Sequence, residues 1–501
     1  MTEELPRDDA EVDRQTASIR RVDARCVVPW RVRRAAVLGD LDAWREGLEL
    51  VGVEVTEAGR PDLAVAPPEL VDDAVATGAD AIAVEGGGAR ALARAGYHVT
   101  HYLPRPRIEN PTLLLALAHG DAARYAALHA TGSRSGWRAA RNRVAASLLK
   151  RRLLPARGGA LTIGLRRPAP PLMIAAAGDL GVPRDAQWFM TLGRGDQLSR
   201  NVFHLFEPGA AAPSWVLKFV RTPGYRDPFD RDERGLRLAA ASPVAAAHAP
   251  RLVGRFDADG LDASLETAGQ GELLARLLGG SGADKIRRIE EIARWIVDLG
   301  AETRTDAAAL EPERERLLRK VVPSWTEQGA TADLVHSLPP ISPVLQHNDL
   351  GSWNVLVDDR SFTAVDWESA REHGLPLWDL AYFLTDVLAP LDAPASERPE
   401  DRVVRLYRGE HPHSRRLFEW ITRAVDATAV PHDAVGRIIT LGWLHHGLSH
   451  FHRRAALERE QAIGYPSPPP LERLATVWLT TPGLGPGWDR WRTARTQTTT
   501  G

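Results

Sequence analysis

The sequence has one cysteine, almost no net charge and no long apolar run, and each scarcity excludes a class of protein. Cys26 is the single cysteine among 501 residues, so no intramolecular disulfide can form, which is typical of a reducing cytoplasm. The 63 basic and 65 acidic side chains nearly balance, which argues against a nucleic-acid partner. No apolar stretch reaches the roughly 18 residues of a membrane span, so no stable membrane insertion is expected.

The amino-terminal end lacks the pattern of a secretory signal. Met1 to Gln15 is acidic and polar, without a basic start followed by an apolar run. We therefore predict a cytoplasmic location and assign residues 1–20 to a disordered tail. A chain of 501 residues is expected to form two or three domains.

Residues 21–130 show short apolar strands that alternate with short helices. The clearest strands are Leu63 to Ala66 and Ala81 to Glu85, and each is followed by a helical pattern. This alternation predicts a small α/β Rossmann-like domain with parallel strands. No Gly-x-Gly-x-x-Gly follows the first strand, where Gly39 stands alone, so we expect a role in recognition or assembly and not in chemistry.

Residues 131–174 read as a basic helix and a linker. Arginines and one lysine recur from Arg134 to Arg152, with apolar residues such as Val144 among them. Two interpretations are open: a solvated helix between domains, or a weak contact with an anionic membrane surface.

The richest chemical pattern lies near residue 350. Asp349 and Asn354 stand five residues apart in a polar loop that runs into an apolar strand, and a turn and a second strand lead to Asp366. This pattern predicts a hairpin that brings two carboxylates and a carboxamide together. Such hard oxygen ligands suit Mg²⁺ that carries phosphates, and Asp-x4-Asn is the spacing of a phosphoryl-transfer loop.

Three motifs in this region occur in the order of a known family. His347-x-Asp349-x4-Asn354, Asp366-Trp367-Glu368 and the stretch from Gly374 to Ala381 together resemble the aminoglycoside phosphotransferase and choline kinase group. The resemblance implies an α+β protein-kinase-like bilobal domain after the α/β Rossmann-like one. Its amino-terminal lobe would span residues 175–268, and residues 269–490 would form a helical lobe with the catalytic hairpin. Residues 95–106 resemble part of a class I methyltransferase-like domain.

The resemblance also implies roles for single residues. Asp349 would be the catalytic base, Asn354 and Asp366 would hold Mg²⁺, and His347 and Asp379 would brace the loop. Lys218 would bind the phosphates of ATP, because its strand alternates faces and a lysine on the inner face needs an anionic partner.

Other nucleotide contacts are expected on both sides of Lys218. Glu233, on the following helix, is the expected partner of Lys218, with Asp230 and Asp232 as rivals. Gly193 and Gly195 form the turn of a hairpin in the place of a nucleotide-covering loop. Glu266 and Ala268 lie in the stretch that resembles the hinge at the adenine edge.

The sequence thus predicts an ATP- and Mg²⁺-dependent phosphotransferase that acts on a hydroxyl of a small molecule. The acceptor is left open among an aminoglycoside, a sugar and an amino alcohol. Two alternatives also stay open: a kinase-shaped nucleotide-binding protein without turnover, and a bifunctional protein with a methyltransferase-like amino-terminal domain.

Overall fold

The computed structural model forms two compact units, which are described separately. The first comprises Met1–Phe229, Leu252–Ala268 and Leu457–Tyr465, and the second comprises Asp230–Arg251, Gly269–Ala456 and Pro466–Gly501. The structure describes residues 9–57, 59–130, 136–150, 160–278, 284–394, 396–448, 456–457, 459, 470–481, 484, 487–488 and 490–493.

The first unit is built on a 12-stranded sheet with the order β11-β12-β10-β9-β8-β6-β5-β7-β4-β3-β1-β2. Its strands are β1 (Arg34–Val37), β2 (Glu54–Val55), β3 (Leu63–Ala66), β4 (Ala81–Glu85), β5 (His98–Arg105), β6 (Leu113–Ala116), β7 (Leu161–Leu165), β8 (Gln187–Thr191), β9 (Asn201–Phe206), β10 (Trp215–Phe219), β11 (Leu252–Ala258) and β12 (Leu261–Thr267).

The helices of this unit are α1 (Asp9–Val22), α2 (Asp42–Leu50), α3 (Val71–Ala76), α4 (Ala89–Arg94), α5 (Gly120–Tyr125), α6 (Gly136–Lys150) and α7 (Leu172–Ala176). Strands β1 to β4 pair in parallel, as the alternation of strands and helices predicts. β5 and β7 are antiparallel to their neighbours, a difference from the predicted all-parallel pattern. Strand direction depends on where the chain returns to the sheet, which local periodicity does not encode.

One continuous sheet joins two regions that the sequence analysis assigned to different domains. β6 lies in the predicted Rossmann-like region and β8 in the predicted kinase-like lobe, and they pair antiparallel. β7, which falls in the predicted linker, inserts between β4 and β5. Pairing β6 with β8 satisfies backbone groups that each sheet would otherwise expose at an edge. The boundaries predicted near residues 130 and 174 therefore lie within one unit.

The assignment of residues 1–20 to a disordered tail is wrong for the part that the structure describes, since α1 covers Asp9–Val22. Val12, Ile19 and Val22 are buried on one side of α1. The side chain of Ser18 donates to Glu46 of α2 at 2.8 Å. The prediction was based on the acidic and polar composition of this segment. Three apolar residues at helical spacing form a buried face without changing that composition much.

The basic segment forms helix α6, and its apolar side packs against α5. Ala146 and Leu149 lie in a small core with Ala123 and Ala127. Val144 is exposed, so the weak membrane-surface contact stays a prediction. Residues 131–135 and 151–159 of the predicted segment lie outside the described residues.

The second unit is mostly helical. Its helices are α8 (Asp227–Ala241, which begins in the first unit), α9 (Pro243–Ala246), α10 (Leu274–Leu278), α11 (Asp284–Glu302), α12 (Glu311–Arg316), α13 (Asp333–His336), α14 (Trp378–Leu388), α15 (Pro399–Arg408), α16 (Ser414–Thr428), α17 (Val435–Gly447) and α18 (Pro470–Thr480). Its strands are β13 (Glu272–Leu273), β14 (Val344–Gln346), β15 (Val355–Val357), β16 (Phe362–Ala364) and β17 (Arg371–Gly374).

The core of the second unit lies around α14, whose residues from Trp378 to Leu388 are buried almost throughout. α11 contributes Ile289, Ile292 and Leu299, which recur at helical spacing and are buried. In the part of the chain that the structure describes, no helix is long and apolar enough to span a membrane.

Candidate active site

The predicted catalytic hairpin is present in the second unit. β15 and β16 pair antiparallel, with Val355 opposite Ala364, and β13 adds a third strand. Asp358 closes the turn, because its carboxylate accepts the backbone N–H groups of Arg360 and Ser361, each at 2.7 Å. The loop before β15 and the end of β16 therefore meet at the same end of a short ribbon.

The loop holds Asp349 and Asn354 against each other. Nδ2 of Asn354 donates to Oδ2 of Asp349 at 3.0 Å and to the backbone oxygen of Asp349 at 2.9 Å. Because the amide nitrogen is engaged there, the carbonyl oxygen Oδ1 of Asn354 is the atom left to face a ligand.

Backbone contacts bring Asp366 to the same place. The N–H of Val365 donates to the backbone oxygen of Asn354 at 2.8 Å. Nε2 of His347 donates to the backbone oxygen of Val365 at 2.9 Å, and Nδ1 of His347 accepts from the N–H of Asp349 at 3.4 Å. Burial lowers the pKa of His347 to about 4, so this imidazole is neutral. The structure thus brings the sequence-predicted Asp349, Asn354 and Asp366 together.

Helix α8 fixes the backbone that follows Asp366. Asp366 has φ 67°, a left-handed conformation, and Trp367 comes next. Gly235 of α8 lies directly against the backbone oxygen of Trp367, where a Cβ would clash. A glycine at this point of the helix allows the close approach.

Asp379, at the start of α14, supports the beginning of the loop. Its carboxylate oxygens accept the N–H groups of His347 and Asn348 at 2.7 and 2.8 Å. Burial raises the pKa of Asp379 to about 6, although the two N–H donors act to lower it. Asn348 has φ 64°, so two N–H groups in sequence point at one carboxylate.

The raised pKa of Asp379 predicts a pH dependence of stability. The folded protein holds this proton more tightly than the unfolded chain, so the free energy of unfolding should fall as pH rises from about 4 to about 6 and then level off. The rise in pKa from 3.8 to about 6 corresponds to about 3 kcal/mol. Urea unfolding of the wild type and Asp379→Asn at pH 4, 5, 6 and 7 measures it. Parallel curves for the two proteins would contradict the assignment.

Lys218 lies in the first unit and is buried there with a carboxylate. Its Nζ is 2.9 Å from Oε1 of Glu266, and the two side chains are 10% and 4% exposed. The two residues come from adjacent strands, since β10 pairs with β12. Glu266, which the sequence analysis expected at the adenine edge, thus supplies a partner for Lys218. The structure pairs Glu233 with Arg237, one helical turn away.

The other nucleotide contacts expected from the sequence lie in packed surroundings. Gly195 has φ 88° and lies against the backbone of Thr16 in α1. The N–H of Gly193 donates to Asn201 at 3.4 Å. The N–H of Ala268 donates to Ser214 at 3.0 Å, so the backbone oxygen of Ala268 is the atom left for a ligand. Nucleotide contact by these residues stays a prediction.

Sequence analysis missed Tyr382 and Asp386, which follow Asp379 on α14. Asp386 Oδ2 accepts the N–H of Ser352, in the loop between Asp349 and Asn354, at 2.8 Å. The signal was available, because polar residues at i, i+3 and i+7 of an otherwise apolar helix share one face.

Comparison with known proteins finds a family model that matches part of the chain. Residues 191–418 match the phosphotransferase enzyme family (APH). No curated protein sequence matches the chain.

Two solved structures match the chain at low sequence identity and low TM-score. Aminoglycoside phosphotransferase APH(3'')-Id from Streptomyces rimosus is 16% identical, over 54% of this chain and 95% of that one, with a TM-score of 0.32. The bifunctional kinase-methyltransferase WbdD is 13% identical, over 85% of this chain and 90% of that one, with a TM-score of 0.24.

The family match spans the three motifs on which the resemblance was based, including Asp349, Asn354 and Asp366, and it also spans Lys218. It confirms for this stretch the kinase-like α+β class that the motifs predict. Residues 191–418 are therefore the part of the chain that is similar to the phosphotransferase enzyme family.

Proposed function

We propose that the protein transfers the γ-phosphoryl group of ATP, with Mg²⁺, to a hydroxyl group of a small molecule. The observation that carries the proposal is the contact between Asn354 Nδ2 and the carboxylate of Asp349 at 3.0 Å. It holds in place the carboxylate that we propose as proton acceptor, and it leaves the amide oxygen of Asn354 for the proposed metal in the same loop. Phosphoryl transfer depends mainly on such positioning and on charge neutralisation.

Asp349 is the proposed catalytic base. Its carboxylate orients the acceptor hydroxyl and takes its proton as the bond to phosphorus forms. Asn354 holds the carboxylate in place, and Asp379 and Asp386 fix the backbone of the loop at His347, Asn348 and Ser352.

The donor set of Asn354 and Asp366 fits Mg²⁺. It consists of one amide oxygen and one carboxylate, and Mg²⁺ prefers oxygen ligands and takes the rest from phosphates and water. The metal would neutralise phosphate charge. Lys218, with Glu266 beside it, is the proposed phosphate-binding cation, and Glu233, Gly193, Gly195 and Ala268 are proposed nucleotide contacts.

Replacing the metal ligands tests the metal assignment. Asp366→Asn should weaken Mg-ATP binding at least tenfold, since even changes to groups that only support a metal ligand cost about 10–100-fold in metal affinity. Asn354→Ala should have a smaller effect of the same kind, because a neutral ligand is lost. Calorimetric titration with ATP in Mg²⁺ and in EDTA measures both.

The control is the titration in EDTA, in which the variants and the wild type should bind ATP alike. A deficit of equal size with and without Mg²⁺ would contradict the assignment of Asp366 to the metal.

The proposed function itself is tested with the full chain. Mg-ATP should bind, and a hydroxylated acceptor from the aminoglycoside, sugar or amino-alcohol classes should raise ATP consumption. Mg-ATP binding without turnover for any acceptor would favour the alternative of a nucleotide-binding protein.

For residues 21–130 we propose recognition or assembly. Glu85 ends β4, where a parallel sheet offers a ligand-facing carboxylate. Its carboxylate accepts from Arg21 at 2.7 Å and from Trp44 Nε1 at 2.5 Å, so the chain itself occupies this group. Titration with S-adenosylmethionine tests the remaining methyltransferase alternative.

A further inference from the structure

Three polar side chains of α14 face the loop that carries Asp349, and two of them support it. Asp379 accepts the N–H groups of His347 and Asn348, and Asp386 accepts the N–H of Ser352. Tyr382 lies between them on the same helix face, at i+3 from Asp379. Its Oη is buried and has no hydrogen-bond partner among the described residues.

A second unpartnered polar atom lies beside Tyr382. The ring of His446, from α17, stacks on the ring of Tyr382 with centroids 4.0 Å apart and planes 15° apart. Nε2 of His446 is also buried without a hydrogen-bond partner in the described part of the chain. Tyr382 is 3% exposed and His446 is 6% exposed.

Both groups are uncharged, and both can donate and accept. Burial raises the pKa of Tyr382 well above its usual value, and the charges of Asp349 and Asp386 raise it further. Burial lowers the pKa of His446 to about 3, so its imidazole is neutral. A neutral hydroxyl and a neutral imidazole complement an alcohol better than they complement an ion.

Leaving such groups unpaired is costly. A buried polar atom without a partner costs about 1–3 kcal/mol, and most buried polar atoms in proteins are paired. These two atoms have no partner among the described residues, lie on stacked rings, and one belongs to the helix that supports the loop of the candidate base, so a ligand is the natural group to complete their hydrogen bonds.

We propose that Tyr382 Oη and His446 Nε2 bind a second hydroxyl of the acceptor, while a neighbouring hydroxyl of the same molecule meets Asp349. The acceptor is therefore a compound with adjacent hydroxyls on a ring, of the sugar or cyclitol class. This assignment rests on the proposed function, because it requires Asp349 to be the base.

Trp353 is an exposed aromatic neighbour of Tyr382. Its side chain belongs to the loop, is 43% exposed and stands edge-on to Tyr382 at 6.0 Å. The indole ring lies over Gly351, where a Cβ would clash with it. Tyr382 Oη and His446 Nε2 are both buried. The half-exposed indole beside Tyr382 offers an apolar ring face that suits the C–H face of a sugar.

A matched pair of tyrosine variants tests the proposal. Tyr407 is also buried, but its Oη is 2.9 Å from Oγ1 of Thr385 on α14. Tyr382→Phe removes a hydroxyl that has no partner in the described part of the protein, and Tyr407→Phe removes a hydrogen-bonded one. ATP consumption with Mg²⁺ is measured with myo-inositol, D-glucose and glycerol as polyol probes, and with ethanolamine and ethanol as single-hydroxyl probes.

We expect the polyols to raise ATP consumption more than the single-hydroxyl probes do. Tyr382→Phe should raise the KM of the best polyol about tenfold, the scale of one lost hydrogen bond, with kcat and the KM for ATP little changed. His446→Phe keeps an aromatic ring stacked on Tyr382 and should raise the KM of the polyol in the same way. Tyr407→Phe should lower Tm by about 1–3 °C and leave KM unchanged, whereas Tyr382→Phe should not lower Tm.

Two results would overturn the proposal. The first is that Tyr382→Phe lowers Tm as much as Tyr407→Phe does and leaves the KM for the polyol unchanged. That result would show that the Tyr382 hydroxyl has a structural role. The other is a wild type that binds Mg-ATP but responds to no polyol, or prefers ethanolamine. A wild type that does not bind Mg-ATP contradicts the proposed function itself, so the two failures are distinguishable.

Discussion

Asp349→Asn should lower turnover on the order of a hundredfold or more, the usual scale for removing a general base. The substitution keeps the shape of the side chain, and Oδ1 of the new amide can still accept from Asn354, which donates to Asp349 at 3.0 Å in the wild type. It removes the proton acceptor but leaves Lys218, Asn354 and Asp366 in place. The affinity for Mg-ATP should therefore stay nearly unchanged.

Nucleotide titration and an assay of ATP consumption on the same folded variants give both quantities. Asp359→Asn is the control, because Asp359 is an exposed carboxylate at the turn of the same hairpin, and its loss should change neither quantity. If Asp349→Asn abolished Mg-ATP binding while Asp366→Asn left it intact, the roles assigned to the two aspartates would be reversed.

The site was predictable where chemistry and local pattern coincide. Asp349, Asn354 and Asp366 lie within one hairpin, so their spacing along the chain predicts that they meet, and the structure brings them together. The strand of Lys218 was predictable because a single lysine interrupts an apolar run. The partner Glu266 was assigned a different role, because its approach to Lys218 depends on the pairing of β10 with β12.

Single strands and helices were predictable from the sequence, but the pairing of distant strands was less so. Leu63–Ala66 and Ala81–Glu85 are strands over the residues that their apolar patterns predict. The pairing of β6 with β8 joins two apparent domains into one sheet. Pairing between edge strands depends on backbone N–H and C=O groups that every strand has. Side-chain patterns therefore do not predict which edge strands pair.

A buried ion pair ties the amino-terminal segment to the chain after the lysine-bearing strand. Arg221 follows β10, and its guanidinium donates to Oδ2 of Asp23 at 2.8 Å, with both side chains 0% exposed. The same guanidinium donates to the backbone oxygens of Asp196 and Ser199 at 3.0 and 2.7 Å and to Asn201 at 2.9 Å. The guanidinium of Arg221 thus binds Asp23 from the amino-terminal segment and groups from residues 196–201 at the same time.

Arg221→Met should lower the free energy of unfolding by about 3–5 kcal/mol, because removing one partner leaves a buried charge without compensation. Arg25 contacts Oδ1 of Asp23 at 3.2 Å and offsets part of the loss. Urea unfolding measures the change. Arg226→Met is the matched control: Arg226 also pairs with a carboxylate, Asp262, at 3.0 Å, but is 66% exposed. Its loss should cost less than about 1 kcal/mol, as for surface pairs.

A double-variant cycle separates the ion pair from general damage to packing. Asp23→Asn combined with Arg221→Met removes both charges, so the double variant should be more stable than the sum of the two single losses predicts. If the loss of stability in the double variant equalled the sum of the two single losses, the proposed interaction between Asp23 and Arg221 would be contradicted. A loss for Arg221→Met no larger than that for Arg226→Met would show that the amino-terminal segment is not anchored through this contact. With the predicted loss, the segment before β1 is a structural part of the unit that carries Lys218, and its removal should destabilise that unit.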